Sequence, residues 1–158
     1  MFHLWFTTFV AVAAALVTTS AHADSAADEV AINQRLQGWT AAFNAKDSAG
    51  VCDLFAPDLV YSIAEVNQGS REALCANLDK LFARSDLQFH YANPDVHEII
   101  VEGNLAVVRL TWTLTTQAHG VKDTTTEEGI DVFRRQPDGR WSIARFIAFA
   151  TRPNKLLP

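Results

Sequence analysis

The sequence predicts an α+β domain in which three helices pack on one face of a strongly curved, mixed but mostly antiparallel sheet. Apolar residues recur at helical spacing in three segments before residue 85. From Leu87 onward the texture is that of long alternating strands, and tight-turn residues punctuate them. With 158 residues, 49% of them hydrophobic and 20% charged, including 10 Phe and 4 Trp, the chain can build one core and hence one domain.

The opening stretch MFHLWFTTFVAVAAALVTTSAHA contains no Lys, Arg, Asp or Glu and closes on Ala21-His22-Ala23, the small-x-small pattern that signal peptidase accepts. Residues 1–23 therefore read as an export signal cleaved near Ala23, with residues 24–158 as a periplasmic or secreted domain. The competing reading is an uncleaved anchor, for which the run ending at Ser20 is short. Cleavage leaves no segment for stable membrane insertion. All charged residues lie in the mature part, where 18 acidic and 13 basic side chains give a formal charge of -5. That balance offers no basic surface to nucleic acid.

Ile32, Leu36, Trp39 and Phe43 lie at helical spacing and predict a helix from Ser25, as cap, to about Lys46, with Asp28 as a first-turn acid. Asp47 suits the N-cap of a short helix carrying Val51, Leu54 and Phe55, which Pro57 is expected to end. A strand, Leu59 to Ile63, runs into a polar loop that closes on Gly69. Ser70 can cap a third helix, whose apolar face is Leu74, Leu78, Leu81 and Phe82, through about Arg84.

The β half begins with LQFHYAN and DVHEIIVE, after which Gly103-Asn104 suits a tight hairpin. In the returning strand Ala106, Val108, Leu110, Trp112 and Leu114 alternate with Val107, Arg109, Thr111, Thr113 and Thr115. His119-Gly120 and Pro137-Asp138-Gly139 then turn the chain into its last two strands. A curved sheet under helices encloses a pocket, floored by the concave face and lidded by the first and third helices.

The two cysteines, Cys52 and Cys75, read either as a bridge, which an oxidising compartment permits and favours, or as two buried thiols. No metal site is expected: His90, Asp95, His97 and Glu98 match no ligand spacing and Pro94 breaks their common face. No phosphate loop or nucleophile elbow occurs, so no cofactor is expected.

The runs WTAAFNAKDSAGVCDLFAPDLVY, GSREAL and GIDVFRRQPDGRWSIARF resemble the nuclear-transport-factor-2-like superfamily, which includes ketosteroid isomerases, scytalone dehydratase and SnoaL-like polyketide cyclases. The resemblance covers nearly the whole mature chain and implies a cone-shaped α+β barrel. It also implies a homodimer formed through the sheet, with Arg109 and the threonine face as contact surface. Ketosteroid isomerase pairs an Asp base with an oxyanion site made of a Tyr and a protonated Asp. Carried over by position, the oxyanion Asp falls on Asp131 and the oxyanion Tyr on Trp39, whose indole donates a hydrogen bond but transfers no proton. The base falls on Ile63, which takes no proton, so steroid-isomerase chemistry is not expected. Glu65, two residues on, is the nearest substitute.

Asp131 admits two readings: a desolvated, protonated donor to a ligand oxygen, or a strand carboxylate that pairs with Arg109 or Arg145 or faces water. Trp39, Trp112 and Trp141 could stack on a flat ligand or simply pack, and Tyr61 could offer its hydroxyl to a ligand or to backbone. Three functions follow. The first is an exported binding domain for a small apolar or aromatic molecule, with Trp39, Tyr61, Ile63, Trp112 and Asp131 as its lining. The second is a cofactor-independent isomerase, dehydratase or cyclase using Asp131 with Glu65, Tyr61 or His90 as base. The third is a structural or assembly domain.

Overall fold

The computed structural model describes residues 20–64 and 66–151, and the side chains of residues 25–64 and 68–151. Residues 1–19 of the expected export signal, and the candidate base Glu65, lie outside the described residues.

Helix α1 (Ser20–Asn44) buries Ile32, Leu36 and Phe43, the spacing that predicted it. It begins ahead of Ser25, so Ser25 is not its cap and Asp28 is not a first-turn acid. Asp28 faces inward instead. Its carboxylate accepts from Arg135 Nη2 at 2.5 Å and from Trp141 Nε1 at 3.2 Å, tying α1 to the far end of the sheet. Arg135 also lies over the Trp141 ring, 4.4 Å from its centroid.

Helix α2 (Ser48–Asp53) starts where Asp47 Oδ1 accepts from the Gly50 N–H at 3.1 Å, as expected of an N-cap. It stops at Asp53, before Pro57, and Phe55 already belongs to the next strand, β1 (Phe55–Ile63). Pro57 is tolerated because the pairing of β1 with its parallel neighbour slips between Phe55 and Val60, where no ladder hydrogen bond is required of it.

The expected polar loop after Ile63 is a second correction. Residues Val66–Ser70 form strand β2, which folds back antiparallel on β1. Gly69 lies directly opposite Tyr61, and a Cβ there would overlap the Tyr61 ring. Ser70 Oγ then caps α3 (Arg71–Phe82), accepting from Ala73 N at 3.3 Å. Cys52 and Cys75 are joined in a disulfide that links α2 to α3.

The remaining strands are β3 (Gln88–Tyr91), β4 (Asp95–Glu102), β5 (Leu105–Ala118), β6 (Val121–Arg135) and β7 (Trp141–Ala150). They form one seven-stranded sheet in the order β2-β1-β7-β6-β5-β3, with β4 pairing the other half of β5. Only β1 with β7 is parallel. The β5–β6 hairpin turns through His119 and Gly120, both at positive φ (49° and 79°), which matches the twist of long strands. The alternation read in β5 holds: Ala106, Val108, Leu110 and Leu114 are buried, while Val107 and Arg109 face out. The core lies between α1 and the concave sheet face, around Ile32, Leu36, Val108, Leu110 and Phe133. Among the described residues no helix is long and apolar enough to cross a membrane.

Candidate functional site

Beside that core the concave face stays partly open. A cavity of about 230 Å3 lies between β1, β5, β6 and β7 on one side and helices α1 and α3 on the other. Trp39 and Phe43 of α1 and Leu74, Leu78 and Leu81 of α3 form its lid, as the helix faces predicted. A wider crevice of about 730 Å3 between α1, α2 and the β6–β7 turn is open to solvent. Its charges already satisfy one another, since Asp53 binds both Arg35 (2.7 Å) and Arg140 (2.8 Å), so the smaller cavity is the better candidate.

All five residues expected at a ligand site line the smaller cavity: Trp39, Tyr61, Ile63, Trp112 and Asp131. Asp131 sits in β6 between Gly129 and Phe133, on the inward face, and is 4% exposed. Among the described residues its carboxyl has no hydrogen-bond or ion-pair partner. Arg109 faces out, and Arg145 donates to the carbonyls of Asp58 and Ala144, so the expected alternative of a strand ion pair is not what forms. Burial alone pushes the Asp131 carboxyl up to about 7.

Trp39 has a matching deficit. Its Nε1 is buried without a hydrogen-bond partner among the described residues. The ring packs on Trp112 (centroids 4.8 Å), Tyr91 (5.2 Å) and Phe43 (5.3 Å), which makes one wall of the cavity aromatic. Tyr61 stacks on Phe146 at 4.8 Å and 9° on the other side, and burial raises its hydroxyl above the usual range. Ile63 reaches the rim, 37% exposed, where the family resemblance would put a base.

Two residues that the sequence offered to the site, Trp141 and His90, do not enter the cavity. Trp141 is buried against Asp28 and Arg135 and does not join the other two tryptophans. His90 is exposed on the face of β3 opposite Tyr91, so it cannot serve as a base there. His97 binds Thr111 Oγ1 at 2.7 Å on the outer face, and among the described residues no group of His, Cys, Asp or Glu could hold a metal ion.

Several lining residues went unread in the sequence, among them two with polar groups, Tyr91 and Glu127. Tyr91 is fixed by a reciprocal pair of 2.9 Å bonds between its backbone and the Asn44 amide. Glu127 lies two and four residues before Gly129 and Asp131 and thus on the same face. Burial raises its carboxyl too, and Glu127 in turn helps burial to hold the Tyr91 hydroxyl well above its ordinary value. Counting by two back from Asp131 would have found it.

A helix-lidded, curled sheet over an apolar cavity with a buried acid defines a class, the small α+β cone. The SnoaL-like domain family matches residues 36–144, and the chain belongs to that family. Solved structures share the fold. A ketosteroid isomerase-like protein from Erwinia carotovora atroseptica superposes with a TM-score of 0.66 at 20% identity, covering 82% of this chain and 98% of the other. An NTF2-like protein with a cystatin-like fold from Novosphingobium aromaticivorans gives 0.69 at 18% identity, covering 86% and 90%. A Catenulispora acidiphila protein in complex with S-DNPA gives 0.65 at 19%, covering 79% and 94%. No curated protein matches the chain.

Proposed function

We propose that this SnoaL-like domain is an exported binding domain for a small, flat, largely apolar molecule that offers an oxygen acceptor. The carrying observation is the Asp131 carboxyl, buried and without a partner among the described residues at the wall of an open apolar cavity. The carboxyl faces the cavity without a protein partner, so a ligand oxygen accepting from the protonated acid replaces cavity solvent, a hydrogen bond worth about 0.5–1.5 kcal/mol net. The volume, below the roughly 300–1,000 Å3 of drug-sized sites, suits one or two rings better than four. That a similarly folded protein carries S-DNPA supports a small organic occupant. The opening sequence supports export, and the apolar outer sheet face supports a homodimer.

Native mass spectrometry of gently purified protein, with a thermal-shift screen of one- and two-ring phenols and ketones, tests this reading. A ligand that stabilises wild type and loses its effect in Asp131→Asn supports it. If no ligand is retained and none stabilises, the binding reading fails.

One observation favours a second reading, a cofactor-independent isomerase, dehydratase or cyclase. A carboxyl that titrates near 7 can both give and take a proton at neutral pH. Steroid isomerisation is the least suited of these, because Ile63 occupies the base position and the cavity is small. A purely structural role is disfavoured by the open volume itself.

A further inference from the structure

The cavity's polar content is lopsided. Its lining holds two carboxyls, Asp131 and Glu127, and no Lys, Arg or His. Neither carboxyl has a hydrogen-bond or ion-pair partner among the described residues, so no protein cation compensates them. Asp131 as the protonated donor adds no charge, so the counter-charge in question is that of Glu127: a cationic ligand favours its ionised form and pairs with it, whereas an anionic ligand is repelled by it.

The surroundings of Glu127 sharpen this. Trp112 is its direct cross-strand partner on β5, on the same inward face. Tyr91 packs edge-on to Trp112 at 5.7 Å and Trp39 closes the wall at 4.8 Å, so the carboxylate shares its end of the cavity with three electron-rich rings. Aromatic faces beside a desolvated carboxylate are the chemistry that recognises ammonium groups, through cation–π attraction and a salt bridge together. Asp131 lies four residues further along β6, about 13 Å at strand spacing, close to the stacked Tyr61 and Phe146.

We infer that Glu127 is a specificity residue and that the ligand is a one- or two-ring amine, bound as its ammonium ion between Glu127, Trp112 and Tyr91. The inference rests on the binding reading given above and narrows it. The ring system lies along the cavity toward Tyr61 and Phe146, where an oxygen at the far end meets Asp131. Aromatic acids of the same size are excluded.

Three probes with one skeleton test it by isothermal titration calorimetry: 2-phenylethylamine, 2-phenylethanol and phenylacetate. In wild type the amine should bind about tenfold more tightly than the alcohol, with phenylacetate weakest. Glu127→Gln should erase the amine's advantage over the alcohol, with an unchanged far-ultraviolet circular dichroism spectrum reporting that the variant is folded. In wild type, added salt should weaken the amine and spare the alcohol, a comparison that needs no variant. An alcohol that binds as well as the amine, or a preference that survives in Glu127→Gln, overturns the inference while leaving the binding domain intact. If none of the three binds wild type, the inference falls, and the binding reading is judged separately by the ligand retained in the native mass spectrum and by the thermal-shift screen.

Discussion

Asp131 couples the site to pH in a direction that can be worked out. An unfolded Asp titrates near 3.8, while the folded carboxyl is pushed up to about 7 by burial, so the folded state holds its proton more tightly. Folding therefore takes up a proton between these values. The stability tied to this group is fully present below about pH 4 and is lost as pH rises toward and through 7, by at most about 4 kcal/mol. Asparagine keeps the shape and carries no charge to desolvate. The Asp131→Asn variant should thus match wild type at or below about pH 4, exceed it increasingly up to about pH 7, and hold that advantage above it in denaturant titrations. A stability difference that stays flat with pH would show that this carboxyl is not desolvated. Asp28, also buried, behaves in the opposite way, because the hydrogen bond from Arg135 holds its carboxyl below the ordinary range. Its contribution is present above pH 3.8 and disappears in acid.

At the scale of elements, β2 and α3 decide whether the cavity keeps its shape. Gly69 is the contact point, since a methyl group there would overlap the ring of Tyr61. Gly69→Ala should cost about 1–3 kcal/mol, lower the Tm, and weaken ligand binding by driving Tyr61 into the cavity; an unchanged Tm would show that β2 yields freely. The disulfide acts on the other side of the lid. It closes a segment with a sequence separation of 23 and holds α3, which brings Leu74, Leu78 and Leu81 to the cavity. Replacing both cysteines by Ser should cost about 3 kcal/mol and roughly 10 °C in Tm, and reductant should do the same to wild type but not to the variant. The sequence made most of this architecture legible where one periodicity dominates: Ile32, Leu36 and Phe43 in α1, or Ala106, Val108 and Leu110 in β5. It hid β2, whose VNQGS has a single apolar residue and is held by backbone pairing to β1. It misplaced Trp141 because the first four residues of β7 are buried in succession, under α1 and the sheet at once, so alternation gives no sign of which face is the cavity's. Glu127 stands beside Glu128, and only the parity of the strand counted from Asp131 tells which of the two points in.

For the whole molecule, the outer sheet face raises the question of what covers it. Phe146 and Ala148 turn toward the cavity, so Arg145, Ile147 and Phe149 turn away from it. Ile147 is 63% exposed, Phe149 58% and Ile130 51%, and Ile130 pairs directly with Ile147 across β6 and β7. Val107 and Ile100 extend the same surface across β5 and β4, where they are also paired. Arg109 lies next to Ile130, and Thr111, Thr113 and Thr115 carry the face toward a polar margin. A contiguous apolar strip with a polar rim is the usual form of a self-complementary two-fold interface, in which the same patch serves both copies. We propose that a dimer through this face would centre on the apolar strip, with Arg109 and the threonines at its edge. Sedimentation equilibrium should give twice the monomer mass for wild type. Ile147→Glu places a charge in the middle of the strip and should yield monomer, whereas Thr113→Glu at the margin should leave the dimer largely in place. Because β6 carries Ile130 outward and Asp131 inward, separation should disturb the cavity only slightly: the monomeric variant is expected to keep its ligand affinity within about threefold. A monomeric wild type would leave this strip to another partner, and a dimer that survives Ile147→Glu would place the interface elsewhere.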